Sequence, residues 1–217
     1  MASDREKQLA AEAAAELVED GMRVGLGTGS TVAHLLPALA RRGLTLRCVA
    51  TSLATEAAAR ELGLAVEPFS GADALAELDI AIDGADQVAP SGWVLKGGGA
   101  AHTREKAVAA AATRFVVIVS SDKLVERLTP PVPLELLEFG LAATLRRLGP
   151  VELRDAPRSP DGGVIADYTG DIADPAALAT LLSATTGVVE HGLFPPELVS
   201  DLVVGRGAEA EHRRTVT

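Results

Sequence analysis

From residue 22 to residue 120 the chain alternates between short runs of Val, Ile, Leu and Ala and longer alanine-rich stretches. "RVGLG", "TLRCVA", "LAVEPF", "LDIAID" and "RFVVIV" read as strands. "GTGSTVAHLLPALARRG", "LATEAAAREL" and the run after "KGGG" read as helices between them. A strand buried on both faces is apolar throughout, and parallel neighbours need a crossover helix to join them. The alternation therefore predicts an α/β domain with a parallel sheet covered on both faces. Aromatic residues are only 3% of the chain against 47% apolar, so this core must be packed from Ala, Val and Leu, which lets helices approach the sheet closely. Ser3 and Glu6 form a capping-box pattern that starts a first helix near Asp4 and runs it to Gly21. Ser52 caps the helix that Gly63 closes. Pro37 is expected to kink the helix that Gly43 closes.

The pattern changes at "TPPVPLEL", where three prolines fall within five residues and mark a linker or lid hinge. A strand ("VPLEL"), a helix ("LEFGLAATLRRLG") and two strands ("VELRDA", "GGVIADY") follow. Asp174 and Pro175 then supply the N-cap and first position of another helix. A final strand pair, "GVVEHGLF" and "ELVSDLVVG", completes a β-α-β-β-α-β unit of α+β type. The expected division is a first domain over residues 1–128 and a smaller one over 129–204. The tail, 205–217, is expected to return to the first domain with a frayed end.

Several function classes are excluded or disfavoured. A net charge of −10 argues against nucleic acid and anionic membrane as partners. No apolar run reaches the roughly 18 to 20 residues that span a bilayer, and the charged N-terminus does not read as a signal peptide. The single cysteine, Cys48, sits in an apolar strand and reads as a buried structural thiol, with the cytoplasm as compartment. The four histidines are scattered, and no cluster has metal-ligand spacing, so no metal or cofactor is expected. Sixteen of the twenty basic residues are Arg; the four lysines are Lys7, Lys96, Lys106 and Lys123.

Three segments can carry chemistry. In "GLGTGST", Gly25 to Thr31, bare backbone N–H groups at a helix N-terminus, with the hydroxyls of Ser30 and Thr31, suit an anion. The segment lacks the G-K-[ST] of a P-loop, its third glycine comes one residue early for a dinucleotide fingerprint, and no acid ends the next strand at Ala50-Thr51. A terminal monophosphate fits better than a nucleotide. In "DIAIDGADQV", Asp83 and Asp86 lie at the carboxyl end of a strand, the edge that faces ligands in open α/β sheets. They suit shared proton transfer; a polar turn is the bland reading. In "LKGGGAAHTREK", Glu105 falls on a helix face shared with Ala101, Val108, Ala109 and Ala112. A glutamate there is costly unless used, and desolvation raises the pKa of such a carboxyl toward that of a general base. Lys96 and the N–H groups of Gly97, Gly98 and Gly99 suit a developing oxyanion. The bland alternative has Glu105 reaching solvent past small alanines. His102 reads as a surface histidine, and Lys123 ends another strand at the same edge. The chemistry this supports is proton abstraction beside a carbonyl on a small phosphorylated molecule.

"GLGTGSTVAH", "DIAIDGADQV", "LKGGGAAHTREK" and "SSDKLVERL", in this order, resemble the signature segments of the A-type ribose-5-phosphate isomerases. "GGVIADY" and "TTGVVEHGLF" resemble that family's second domain. The resemblance implies a Rossmann-like domain with a smaller ferredoxin-like domain, usually a homodimer or homotetramer, acting on a sugar phosphate without cofactor. It implies Glu105 as the base between C2 and C1, Asp83 in ring opening, and Asp86 and Lys96 at the reacting oxygens. It further implies Gly97, Gly98 and Gly99 as backbone donors. Thr28, Gly29, Ser30, Thr31, Gly84, Ala85 and Lys123, with Lys7, would hold sugar and phosphate. The segment from Val151 to Asp161 resembles no family pattern. Glucosamine-6-phosphate deaminases share the fold but carry a histidine shortly after Asp-Gly, where this chain has Ala85-Asp86. A non-catalytic sugar-phosphate sensor is usually fused to a DNA-binding helix-turn-helix. A CoA transferase needs a long CoA groove.

Overall fold

The structure, a computed structural model, describes residues 4–214. In chain order its elements are α1 (Asp4–Ala15), β1 (Arg23–Leu26), α2 (Val32–Arg41), β2 (Arg47–Ala50), α3 (Leu53–Glu61), β3 (Ile80–Asp83), β4 (Gln87–Val88), β5 (Val94–Leu95), α4 (His102–Ala111), β6 (Phe115–Ser120), β7 (Val132–Leu136), α5 (Leu141–Leu148), β8 (Val151–Leu153), β9 (Val164–Tyr168), α6 (Pro175–Ala184), β10 (Val188–His191), β11 (Leu193–Phe194), β12 (Asp201–Arg206) and β13 (Glu209–Arg214). Internal contacts gather these into two units. Of the described residues, the first holds 4–85, 104–124 and 197–214; the second holds 86–103 and 125–196.

The first unit is built on a six-stranded sheet, β13-β12-β6-β3-β1-β2, in which every neighbouring pair but β12–β13 is parallel. Alternation along the strands assigns its two faces. Val24 and Leu26 of β1, Ile80 and Ile82 of β3, and Val116 and Ile118 of β6 join a core with α1 and α2. The intervening residues face the other way, onto α4: a Cβ on Gly25 would stand 2.4 Å from Cγ1 of Val108. Helices thus cover both faces, as the apolar strands require. Cys48 lies fully buried in β2, and burial pushes its thiol up to about 12, which fits a structural role.

Four expectations are corrected in this unit. The first helix stops at Ala15 instead of Gly21, because i→i−3 bonds tighten the chain there and the Arg42 guanidinium donates to the carbonyls of Ala15 and Val18. Ser3 lies outside the described residues, so the capping box does too; Glu6 instead accepts from Ser121 N and Oγ and from Gly207 N, and these bonds, Gly207 foremost, hold its carboxyl below the usual range. "LAVEPF" makes only a bridge, Cys48 to Val66, since Pro68 cannot donate to a ladder. "ELVSDLVVG" does not pair with the strand before it. Its β12 runs parallel to β6 inside the first unit's sheet, and the tail, expected to fray, adds β13 as a hairpin edge. That edge reads Glu-Ala-Glu-His-Arg-Arg, charged as exposed edges need to be.

The second unit carries a four-stranded antiparallel sheet, β10-β7-β9-β8, packed on a core that includes Leu148 of α5 and Leu178 and Leu182 of α6. Taken in chain order its strands lie 4-1-3-2, with a helix after the first and third, as in a ferredoxin-like unit. Asp174 caps α6 by accepting from the N–H groups of Ala176 and Ala177. A three-stranded sheet, β11-β5-β4, was not foreseen. Its β5–β11 pairing ties residues 86–103 to this unit, although the sequence reading assigned them to the first.

Candidate active site

The expected site residues fall into two groups, because the chain leaves the first unit after Ala85 and re-enters it at Arg104. In the first unit, Gly27 to Thr31 follows β1 and Asp83 ends β3. Asp83 is buried, and its Oδ1 accepts from the backbone N–H of Thr28 at 3.0 Å and of Gly84 at 2.7 Å. Gly27 must be bare for this, since a Cβ there would lie 2.0 Å from Oδ1 of Asp83. Thr28 Oγ1 lies 2.7 Å from Thr51 Oγ1, and Lys7 Nζ donates to Ser30 Oγ at 2.9 Å. Thr31 precedes α2 and makes no side-chain cap bond, so its hydroxyl is not committed to the helix end. Lys123 ends a short 3-10 turn just after β6, whose first residue Ser121 is bound by Glu6, the neighbour of Lys7.

Glu105 lies in the first turn of α4 and is 6% exposed, so the reading in which it reaches solvent is overturned. Val108, three residues on and on the same helix face, packs over Gly25 of β1. The C-terminal end of α4 sits at the start of β3, where Leu78 N donates to Ala111 O at 2.8 Å. The helix therefore runs antiparallel to the strands, and Glu105 lies toward their carboxyl ends, on the face that also carries Asp83.

In the second unit, Gly97 to Gly99 follow β5. The N–H of Gly98 donates to Asp86 Oδ2 at 2.8 Å, so the carboxylate and the glycine turn form one feature. Lys96 is 2% exposed; its N–H donates to Gly192 O, and its ammonium stands 5.6 Å from the centre of the Phe194 ring. His102, expected at the surface, is fully buried. Gly97 makes room for it, at φ 103°, where a Cβ would come within 2.8 Å of Nδ1. Among the described residues no group of three or more His, Cys, Asp or Glu is placed to hold a metal ion.

Sequence reasoning missed Thr51, which directly follows β2 at the same sheet edge as the Thr28 turn; that edge was the available signal. It also missed Glu135, buried in β7, whose carboxylate accepts from Thr103 and Ser159, and Arg154, whose guanidinium reaches the glycine turn from 56 residues away in sequence. No local pattern points to either.

Residues 47–209 match the family described as Ribose 5-phosphate isomerase A (phosphoriboisomerase A). Residues 2–66 also match the DeoR C terminal sensor domain. The chain is 47% identical to a ribose-5-phosphate isomerase A of Caulobacter vibrioides, over 94% of this chain and 96% of the relative. It superposes on the ribose 5 phosphate isomerase A of Neisseria gonorrhoeae with a TM-score of 0.91 and 31% identity, covering both chains fully. It also superposes on a D-ribose-5-phosphate isomerase in complex with phospho-erythronic acid, with a TM-score of 0.86 and 32% identity, over 96% and 97% of the two chains. Order of segments, sheet topology and sequence identity agree, and the chain belongs to the ribose 5-phosphate isomerase A family, which interconverts ribose 5-phosphate and ribulose 5-phosphate in the pentose phosphate pathway.

Proposed function

We propose that Glu105 is the base of this isomerisation and that the remaining roles divide along the two groups of residues. Glu105 takes the proton from C2 of the open-chain aldose and returns it to C1, while the hydroxyl proton passes from O2 to O1 through an enediolate. Asp83 assists ring opening. Asp86 and Lys96, with the backbone donors of Gly97, Gly98 and Gly99, stabilise the charge that develops on the reacting oxygens. Thr28, Gly29, Ser30, Thr31, Lys7 and Lys123 hold sugar oxygens and phosphate, and Gly84 and Ala85 flank the substrate. The observation that carries the reading is the burial of Glu105 on α4, on the face shared with Asp83. The Lys7–Ser30 bond supports the phosphate assignment, since it brings an ammonium to the helix-opening turn. The relative solved with phospho-erythronic acid supports a phosphorylated sugar as the ligand.

Side chains and backbone donors supply all of this chemistry, so the reaction needs no metal. Turnover of ribose 5-phosphate is expected to be unchanged in EDTA; loss on chelation, restored by a divalent ion, would overturn this. We further infer a cytoplasmic homodimer or homotetramer. No helix is long and apolar enough to cross a membrane among the described residues. Phe139 is 94% exposed in the second unit, with Leu137 and Leu181 also exposed, apolar surface that a second copy would cover. Light scattering at micromolar concentration is expected to give at least twice the 22.3 kDa of one chain, and a monomer mass would refute it.

A further inference from the structure

Backbone donors stabilise charge only if they are held in place, and glycines are poor at holding themselves. Around Gly99 nothing lies within 4 Å of where a Cβ would be. The turn is held from the side of β8 and β9. Arg154 directly follows β8, and its backbone N–H donates to Ile165 O at 3.0 Å, extending the ladder. Its Nε and Nη2 donate to Oδ2 and Oδ1 of Asp167 at 2.6 and 2.7 Å. Asp167 sits within β9, between Pro133 of β7 and Glu152 of β8, so the anchor belongs to the middle of a sheet. This two-point grip fixes the plane of the guanidinium. The remaining nitrogen, Nη1, donates to the carbonyl of Gly97 at 2.9 Å and to that of Gly98 at 3.2 Å.

A trans peptide is planar, so its N–H points opposite to its C=O. Holding the Gly97 carbonyl therefore fixes the Gly98 N–H, which donates to Asp86 Oδ2. Holding the Gly98 carbonyl turns the Gly99 N–H away from Arg154. A cation on the carbonyl oxygens also polarises both peptides and strengthens the N–H groups as donors.

We propose that Arg154, anchored by Asp167, is a positioning residue for the isomerase: it aims the amides of Gly98 and Gly99 and, through Gly98, the carboxylate of Asp86. The inference rests on the reading that these groups meet the reacting oxygens. A lysine replaces it only in part, because one ammonium cannot grip a carboxylate in a fork and span two carbonyls together.

The test uses the full chain with Arg154→Met, Arg154→Lys and Asp167→Asn, each assayed with ribose 5-phosphate for kcat and KM and melted thermally. Glu105→Gln is assayed in parallel. Arg154→Met is expected to lose roughly 10- to 100-fold in kcat, the scale of a misplaced reacting group, with a much smaller change in KM. Arg154→Lys recovers part of the loss, and Asp167→Asn shows a smaller loss in the same direction. Wild-type kcat in Arg154→Met, or a lowered melting temperature with kcat intact, would overturn the inference and leave Arg154 as a clamp between two strands. Should Arg154→Met fail to fold, wild-type kcat in both of the other variants overturns it equally. If Glu105→Gln is inactive while Arg154→Met turns over normally, only the positioning role falls. If Glu105→Gln keeps wild-type turnover, the base assignment falls, and Arg154 is still judged on its own kcat.

Discussion

Thr28 and Thr31 stand at the two ends of one turn and do different things. The Thr28 backbone serves Asp83, whereas the Thr31 hydroxyl makes no cap bond to α2. Thr31→Val should therefore leave the helix start intact and remove a donor to the phosphate. Phosphate is bound alike in ground and transition states, so KM should rise roughly tenfold, the scale of one hydrogen bond to a charged group, with kcat nearly unchanged. An unchanged KM would show that the phosphate lies elsewhere. The burial of Glu105 was legible in the sequence because helical spacing surrounds it with Ala and Val. His102 was misread because its burial depends on the bare backbone of Gly97, a contact that no periodicity encodes.

Among the elements, β1 and α4 pack closely at Gly25. The glycines of "GLGTG" suggested anion binding, but two of them have a packing reason: Gly25 admits Val108, and Gly27 admits the Asp83 carboxylate. Gly25→Ala would place a methyl group 2.4 Å from Val108 and 2.9 Å from the Cβ of Ala81. Overpacking of this kind should cost about 1–3 kcal/mol of stability. It should also lower kcat, because the helix that is pushed away carries Glu105. Chemical denaturation and steady-state kinetics measure both; wild-type values in each would mean that α4 is not seated as described. The parallel strands and most helices were readable from the apolar runs and caps, since local pattern suffices for elements buried on both faces. The place of β12 was not, because its partner β6 lies over eighty residues away and an apolar run does not name its neighbour.

At the level of the whole chain, the sequence passes from one unit to the other more than once: β5 pairs with β11 in the second, and the last two strands return to the first sheet. Proline-rich punctuation at residues 129–133 suggested a single crossing point, but pairing partners decide unit membership and composition does not. The proposed roles all depend on one group moving the proton. Glu105→Gln keeps size and hydrogen bonding but removes basicity, so kcat should fall roughly 10²-fold or more, the scale of a lost general base, while a non-reacting sugar phosphate still binds. The most direct measurement is exchange of the C2 hydrogen of ribose 5-phosphate with deuterated solvent by this variant. The account predicts that exchange falls with kcat; exchange at the wild-type rate would contradict it and move the base to Asp83 or Asp86.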